Sequence, residues 1–136
     1  MPFVVDASLA LAWYFEDEAS EYADRVLDRV GEDLALVPSL WALEIANALA
    51  FAERRNRLSS ADVARIAELF LEVPVSIHDV APESALGPVL DLARTQGITA
   101  YDAAYLDLAM REGLAIATQD KDLRLAARRV GVALVE

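Results

Sequence analysis

The sequence predicts an α/β protein built on a mostly parallel sheet that helices cover on both faces. Short apolar runs alternate with longer amphipathic segments, the order expected of strands joined by helical crossovers. Those runs read as buried strands, as a parallel sheet enclosed on both sides requires. The length of 136 residues, the hydrophobic fraction of 56% and the mean hydropathy of +0.29 fit one compact domain spanning residues 1–136.

Phe3 to Val5 reads as the first strand, with Asp6 at its end. Ala7 to Phe15 reads as helix. A second helix follows over Glu18 to Val30, with Ala19, Tyr22, Ala23, Val26, Leu27 and Val30 at helical spacing and Gly31 as its stop. Leu34 to Val37 is the second strand, ended by Pro38, and Ser39 is placed to cap a long helix running to about Arg57. Ser59 and Ser60 can start the next helix, which carries Val63, Ile66, Ala67 and Phe70 on one face. Val75 to Ile77 is the third strand, and Pro82 suits the first turn of a helix ending near Gly97. Thr99 opens a further helix and Gly113 closes it. Leu114 to Thr118 forms the fourth strand, Asp120 to Val130 the final helix and Val132 to Val135 a fifth strand. No repeat, linker or low-complexity stretch interrupts this order.

Composition narrows the chemistry. The chain has no cysteine, which removes disulfides and thiolate metal sites. His78 is the single histidine, so a histidine-rich zinc site is excluded and oxygen ligands are the plentiful ones. Any metal is expected to be magnesium, with manganese as a substitute. No apolar run reaches the roughly 18–20 residues of a membrane span, and Pro2 to Val5 lacks the basic flank and length of a signal peptide. A cytoplasmic protein without a membrane partner is expected. The net charge of −11 opposes nucleic-acid binding at first sight. Bound cations would offset part of it, and the basic residues are eleven arginines and Lys121, of which arginine suits bidentate phosphate contacts.

Four acids stand out by position: Asp6, Glu44, Asp102 and Asp120. Asp6 and Asp120 each close an apolar run and precede a helix, so each also has a simple role as an N-cap. Asp102 fits a capping-box-like Thr99-x-x-Asp102 pattern. Glu44 interrupts the apolar stretch Leu40 to Ala48, where a carboxylate is costly to bury unpaired; a rim position in contact with water is the plain alternative. Together they carry more weight. Ligands of open parallel sheets sit beyond the carboxyl ends of the strands. Carboxylates about 5 Å apart repel by roughly 3 kcal/mol per pair at an effective dielectric near 20. A cluster of four therefore points to a divalent cation, and a magnesium held this way suits phosphodiester hydrolysis.

These residues resemble those of PIN-domain nucleases, and more narrowly the VapC-like toxins of bacterial toxin–antitoxin pairs. The matching pieces are Val4-Val5-Asp6-Ala7-Ser8, Leu43-Glu44-Ile45-Ala46-Asn47-Ala48-Leu49, Tyr101-Asp102-Ala103-Ala104-Tyr105-Leu106 and Leu114 to Leu123. The resemblance spans essentially the whole chain. It implies a three-layer α/β/α, PIN-like fold with a five-stranded parallel sheet in the order 3-2-1-4-5. It further implies an endoribonuclease that cleaves RNA with a metal-activated water. Asp6 and Asp102 would be the principal magnesium ligands, Glu44 and Asp120 would complete the acidic pocket, and Ser8 and Thr118 would support the acids. Asp122 matches a frequent further acid.

The same resemblance implies a small cognate antitoxin whose segment packs into an apolar groove near the acids and offers them a basic side chain. It also implies a homodimer. Leu9, Leu11, Trp13, Trp41 and Phe51 are candidates for that groove, with ordinary core packing as the alternative. Trp13 and Phe15, beside Glu16-Asp17-Glu18, are expected to be the most exposed contacts.

Other readings fit less well. A non-catalytic module that binds metal or RNA is favoured by the charge, because RNA contact would rest on few positions such as Arg54, Arg55, Arg57, Arg128 and Arg129. A phosphoacceptor receiver domain needs an acidic pair after strand one and a lysine after strand five. Asp79 is roughly placed for it, but Ala7-Ser8 and the absence of a lysine after Val135 are not. Haloacid-type phosphatases need Asp-x-Asp after strand one, where this chain has Ser8.

Overall fold

The structure is a computed structural model that describes residues 1–136. Its elements follow one another as β1 (Phe3–Val5), α1 (Ala7–Leu11), a 3-10 turn (Glu16–Glu18), α2 (Glu21–Val30), β2 (Ala35–Pro38), α3 (Trp41–Arg54), α4 (Ser60–Glu72), β3 (Val75–His78), α5 (Pro82–Ser84), a π turn (Ala85–Val89), α6 (Leu90–Gln96), α7 (Ala100–Glu112), β4 (Ala115–Ala117) and α8 (Lys121–Arg129). The four strands form a parallel sheet in the order β3-β2-β1-β4. Every residue of β1 and β2 is buried. Successive strand residues point to opposite faces, so this pattern requires cover on both. β3 is the free edge and leaves Ile77 exposed.

The fifth strand is reduced to a single bridge. Leu134 pairs in parallel with Ile116 beside β4, in the position that the order 3-2-1-4-5 assigns to it. The Val135 carbonyl accepts from the Tyr22 hydroxyl at 2.7 Å instead of extending a ladder. Val132 and Val135 still turn inward and are buried.

Several boundaries differ from the sequence expectation for local reasons. α1 stops at Leu11, and the Trp13 indole N–H donates to the Ala23 carbonyl at 2.9 Å, drawing the chain towards α2. α2 starts at Glu21, where the Ser20 hydroxyl accepts from the Ala23 N–H. Ser39 does not cap α3. Its N–H donates to the His78 carbonyl, extending the contact of β2 with β3, and α3 begins without a side-chain cap and ends at Arg54. The segment from Pro82 to Gln96 is helical as expected but widens to a π turn where Pro88, which has no N–H, cannot make an i to i−4 bond. Ser59 caps α4 in a reciprocal box with Asp62. Gly97 and Gly113 both take φ of 66°, a left-handed conformation that lets the chain leave α6 and α7 sharply.

α7 is the central helix. Ala103 through Ala109 are all buried, and the helix packs on β1, β2 and β4. No helix is long and apolar enough to cross a membrane. On the other side of the core, Phe70 of α4 meets Tyr14 edge-on at 4.9 Å and Trp41 edge-on at 5.9 Å, tying α4 to α3 and to the α1–α2 connection. Phe70→Ala should therefore cost about 3–5 kcal/mol in unfolding free energy, measured by urea denaturation. A cost below about 1 kcal/mol would mean that the aromatic cluster does not hold α4 in place.

Candidate active site

The pairing of β1 with β4 places Val5 opposite Ala117, so the residues that follow each strand emerge together. Asp6 follows β1 and is 2% exposed. Its Oδ1 accepts from the Leu9 N–H at 2.9 Å, which caps α1. Its Oδ2 accepts from the Ser8 hydroxyl at 2.8 Å and from the Thr118 hydroxyl at 2.6 Å. Burial nevertheless pushes its pKa up to about 6; the three hydrogen bonds oppose that rise, and the charge of Asp102 adds to it.

Thr118, fully buried, connects this acid to the next. Its hydroxyl accepts from the Asp120 N–H at 3.0 Å while donating to Asp6. Asp120 then caps α8, accepting from the Leu123 N–H at 2.8 Å. The Arg124 guanidinium donates to the Thr118 carbonyl at 2.8 Å and lies over the Tyr22 ring.

Asp102 enters from the first turn of α7, half-buried, with its N–H donating to the Thr99 hydroxyl at 3.0 Å. Its pKa is raised by burial first and then by Asp120, with a smaller push from Asp122. Glu44 enters from α3, also half-buried, and its Oε1 accepts from the Tyr105 hydroxyl at 2.6 Å. Burial raises its pKa, Tyr105 opposes that, and Asp102 raises it again. Asp102 thus acts on both Asp6 and Glu44 and is itself acted on by Asp120. The chain brings the four sequence candidates into one electrostatic neighbourhood, with exposed Asp122 at its margin.

The donor set is all oxygen, which fits a hard divalent ion. No three of these groups are already gathered at the spacing of a closed metal cage. Magnesium does not need one, since it keeps several waters and commonly takes one or two carboxylates. Two depressions open beside the acids and share Ser8. One, of about 640 Å³, is lined by Leu11, Leu40, Leu43, Glu44, Phe51 and Tyr101 among others. The other, of about 330 Å³, is bordered by Glu18, Gln119 and Asp120.

Of the apolar groove candidates, Leu11 and Phe51 line the larger depression. Leu9 and Trp41 are core residues. Phe15 is not the exposed contact expected from the sequence. It is 5% exposed beneath Arg57, which also pairs with Asp17 and Glu18. Trp13 is half-buried and committed to Ala23. The sequence reading missed Tyr105 and Arg124. Tyr105 had a signal: a phenol three residues after Asp102, on the same side of a helix.

Comparison with known proteins gives this arrangement a family. The PIN domain family model matches residues 3–129. Ribonuclease VapC3 of Pyrobaculum aerophilum is 35% identical over 125 residues, covering 90% of this chain and 92% of that protein. Exonuclease VapC9 of the same organism is 33% identical over 121 residues, covering 89% and 82%. Among solved structures, PAE2754 from Pyrobaculum aerophilum superposes with a TM-score of 0.68 at 28% identity, over 93% of this chain and 87% of its own. VapBC2 from Rickettsia felis, bound to a DNA fragment from their promoter, shares the fold at a TM-score of 0.67 and 13% identity, over 100% and 98%. Matched by that family model over nearly its whole length, the chain belongs to the PIN-domain family and is similar to its VapC members.

Proposed function

We propose that residues 1–136 act as a single-domain, magnesium-dependent endoribonuclease, the toxin of a toxin–antitoxin pair. The observation that carries this reading is the electrostatic coupling of Asp6, Glu44, Asp102 and Asp120, which come from different parts of the chain and none of which is held in a salt bridge. The relatedness to a protein named Ribonuclease VapC3 supports RNA as the substrate.

Asp6 and Asp102 would hold the ion, with Glu44 and Asp120 reaching it directly or through water. Bound there, magnesium would supply charge stabilisation to the phosphate and make a water molecule more acidic. The protein's own residues do the rest. Ser8, Thr118 and the Leu9 N–H fix the Asp6 carboxylate in one orientation. Asp120 is held by its cap of α8, and Glu44 lines the larger groove. That groove also fits an antitoxin segment. Leu43 and Tyr101 are exposed in it, and a net charge of −11 favours a partner that brings a basic side chain to the acids.

Purified protein with magnesium or manganese should cut a panel of structured and single-stranded RNAs, and chelator should stop it. Asp102→Asn should lower the rate at least about a hundredfold, on the scale of losing one preorganised charge-stabilising group, while the fold is kept. A circular RNA separates endonucleolytic from exonucleolytic action, since only the former opens a circle. Undiminished cleavage by the variant would remove these acids from the chemistry. RNA bound but never cut at any metal concentration would favour a binding module instead.

Stability should report the same cluster. Asp6 has a pKa of about 6 folded against 3.8 in the unfolded chain, so between those values the folded state binds more protons. Metal-free stability therefore falls as pH rises from about 4 to about 6, by up to about 3 kcal/mol from Asp6, with Glu44 and Asp102 acting in the same direction. Magnesium favours the ionised forms and should flatten that decline, adding about 2.7 kcal/mol at a hundredfold over its dissociation constant. Denaturation curves at pH 4.5 and pH 7, each with chelator or magnesium, test this. A metal-free protein more stable at pH 7 than at pH 4.5 would contradict it.

A further inference from the structure

Glu44 differs from the other acids in how it is held. Asp6 has donors from its own helix turn and from Thr118 just after β4, and Asp120 is fastened by its cap. Glu44 is longer, stands on the wall of an open groove of about 640 Å³ and has one protein hydrogen bond to its carboxylate. That bond comes from Tyr105, 61 residues away on the central helix and 1% exposed. The phenolic hydroxyl has one proton, and the 2.6 Å bond to Oε1 commits it. Without that bond the Glu44 carboxylate has no hydrogen-bond partner in the protein. With it, Oε1 is held in place and Oε2 carries no hydrogen bond from the protein, free to take a cation or its water.

We propose that Tyr105 is a positioning residue for divalent-cation binding: its hydroxyl fixes the Glu44 carboxylate in one orientation and so sets the affinity of the acidic site for the ion. The proposal rests on the nuclease reading, because it takes this cleft to be the cation site. The Tyr105 ring packs in the core whatever the hydroxyl does, among neighbours that include the strand and helix residues around it. The hydroxyl is the separable part. Groups that orient a metal-binding side chain characteristically change affinity by about 10- to 100-fold when removed. A purely structural tyrosine would instead change the stability of the metal-free protein and leave affinity alone.

The test is manganese binding, followed by calorimetry or by the paramagnetic signal of free manganese, in the full chain. Tyr105→Phe keeps the ring and removes the bond, and should weaken binding roughly tenfold. Glu44→Asp shortens the acid out of reach of the hydroxyl and should weaken binding too, which keeps the test intact if the phenylalanine variant does not fold. The double variant should bind no more weakly than Glu44→Asp alone, because the hydroxyl acts only through Glu44. With RNA as substrate, Tyr105→Phe should raise the manganese concentration needed for half-maximal rate by a similar factor while KM for RNA stays unchanged.

Wild-type affinity in Tyr105→Phe, or in Glu44→Asp, would overturn the inference and leave the nuclease reading standing. A further loss in the double variant would overturn it as well, by showing that the hydroxyl acts elsewhere. A wild-type protein that binds no manganese would bring down the cation site and this inference together.

Discussion

The Thr118 hydroxyl sits where the sheet and the acidic cleft become one structure. A hydroxyl donates one proton and accepts at two lone pairs. Here the Asp120 N–H occupies one acceptor site, and the proton goes to Asp6 Oδ2. That polarity is set by the chain path, since β4 must pair beside β1 for Thr118 to face Asp6 at all. The strand pairing thus delivers the two acids, and the hydroxyl keeps them linked without direct contact. Arg124 fixes the other side of the same residue by donating to its carbonyl. A slip of β4 by one residue would turn Thr118 to the opposite face of the sheet and break its bond to Asp6, while the local bonds to Asp120 and Arg124 would move with it.

The cleft is costly to the fold that carries it. A carboxyl with its pKa moved from 3.8 to about 6 is about 3 kcal/mol less favourable as an ion than it is in water. Domains of this size are stable by only about 5–15 kcal/mol, so one acid absorbs a sizeable share before Glu44 and Asp102 are considered. The surrounding core has to offset it. β1 and β2 are buried throughout, and α7 is buried over seven consecutive residues immediately after Asp102. The arrangement is coherent if charge is placed where a ligand will neutralise it, and the rigid, fully packed elements are the ones that hold it there. That coupling links the stability of the fold to the occupancy of the site.

Much of the fold was legible because its signals are local. The strand ends, the Ser59, Thr99 and Asp120 caps and the Gly97 and Gly113 exits each follow from one residue and its immediate neighbours. What failed depended on distant partners. Ser39 looks like a cap, but its N–H is drawn to His78 across the sheet. Phe15 sits in an acidic stretch and looks exposed, yet Arg57 from another loop covers it. The last strand has the right residues but gives the Val135 carbonyl to Tyr22. The four acids could be nominated from their positions at strand ends and in an apolar helix. Ser8 and Thr118 were nominated as supports only through the family resemblance, and Tyr105 was missed, because Thr118 reaches Asp6 across 112 residues and Tyr105 reaches Glu44 across 61.

Two short motifs show where a local reading stops. Ser59-x-x-Asp62 and Thr99-x-x-Asp102 are the same pattern at the start of a helix, and in both the hydroxyl accepts from the acid's own N–H. At α4 the aspartate returns the bond to the Ser59 N–H, completing the box, and its pKa is lowered. At α7 that return bond to the Thr99 N–H is not among the contacts of Asp102, and its pKa moves the other way. A helix N-terminus favours the ionised carboxylate in both cases, so the cap itself does not account for the difference. Burial and the facing charges of Asp120 and Asp122 do. The same four-residue motif therefore leaves its acid in opposite electrostatic states, and what decides between them is the packing and the charges brought from elsewhere in the chain.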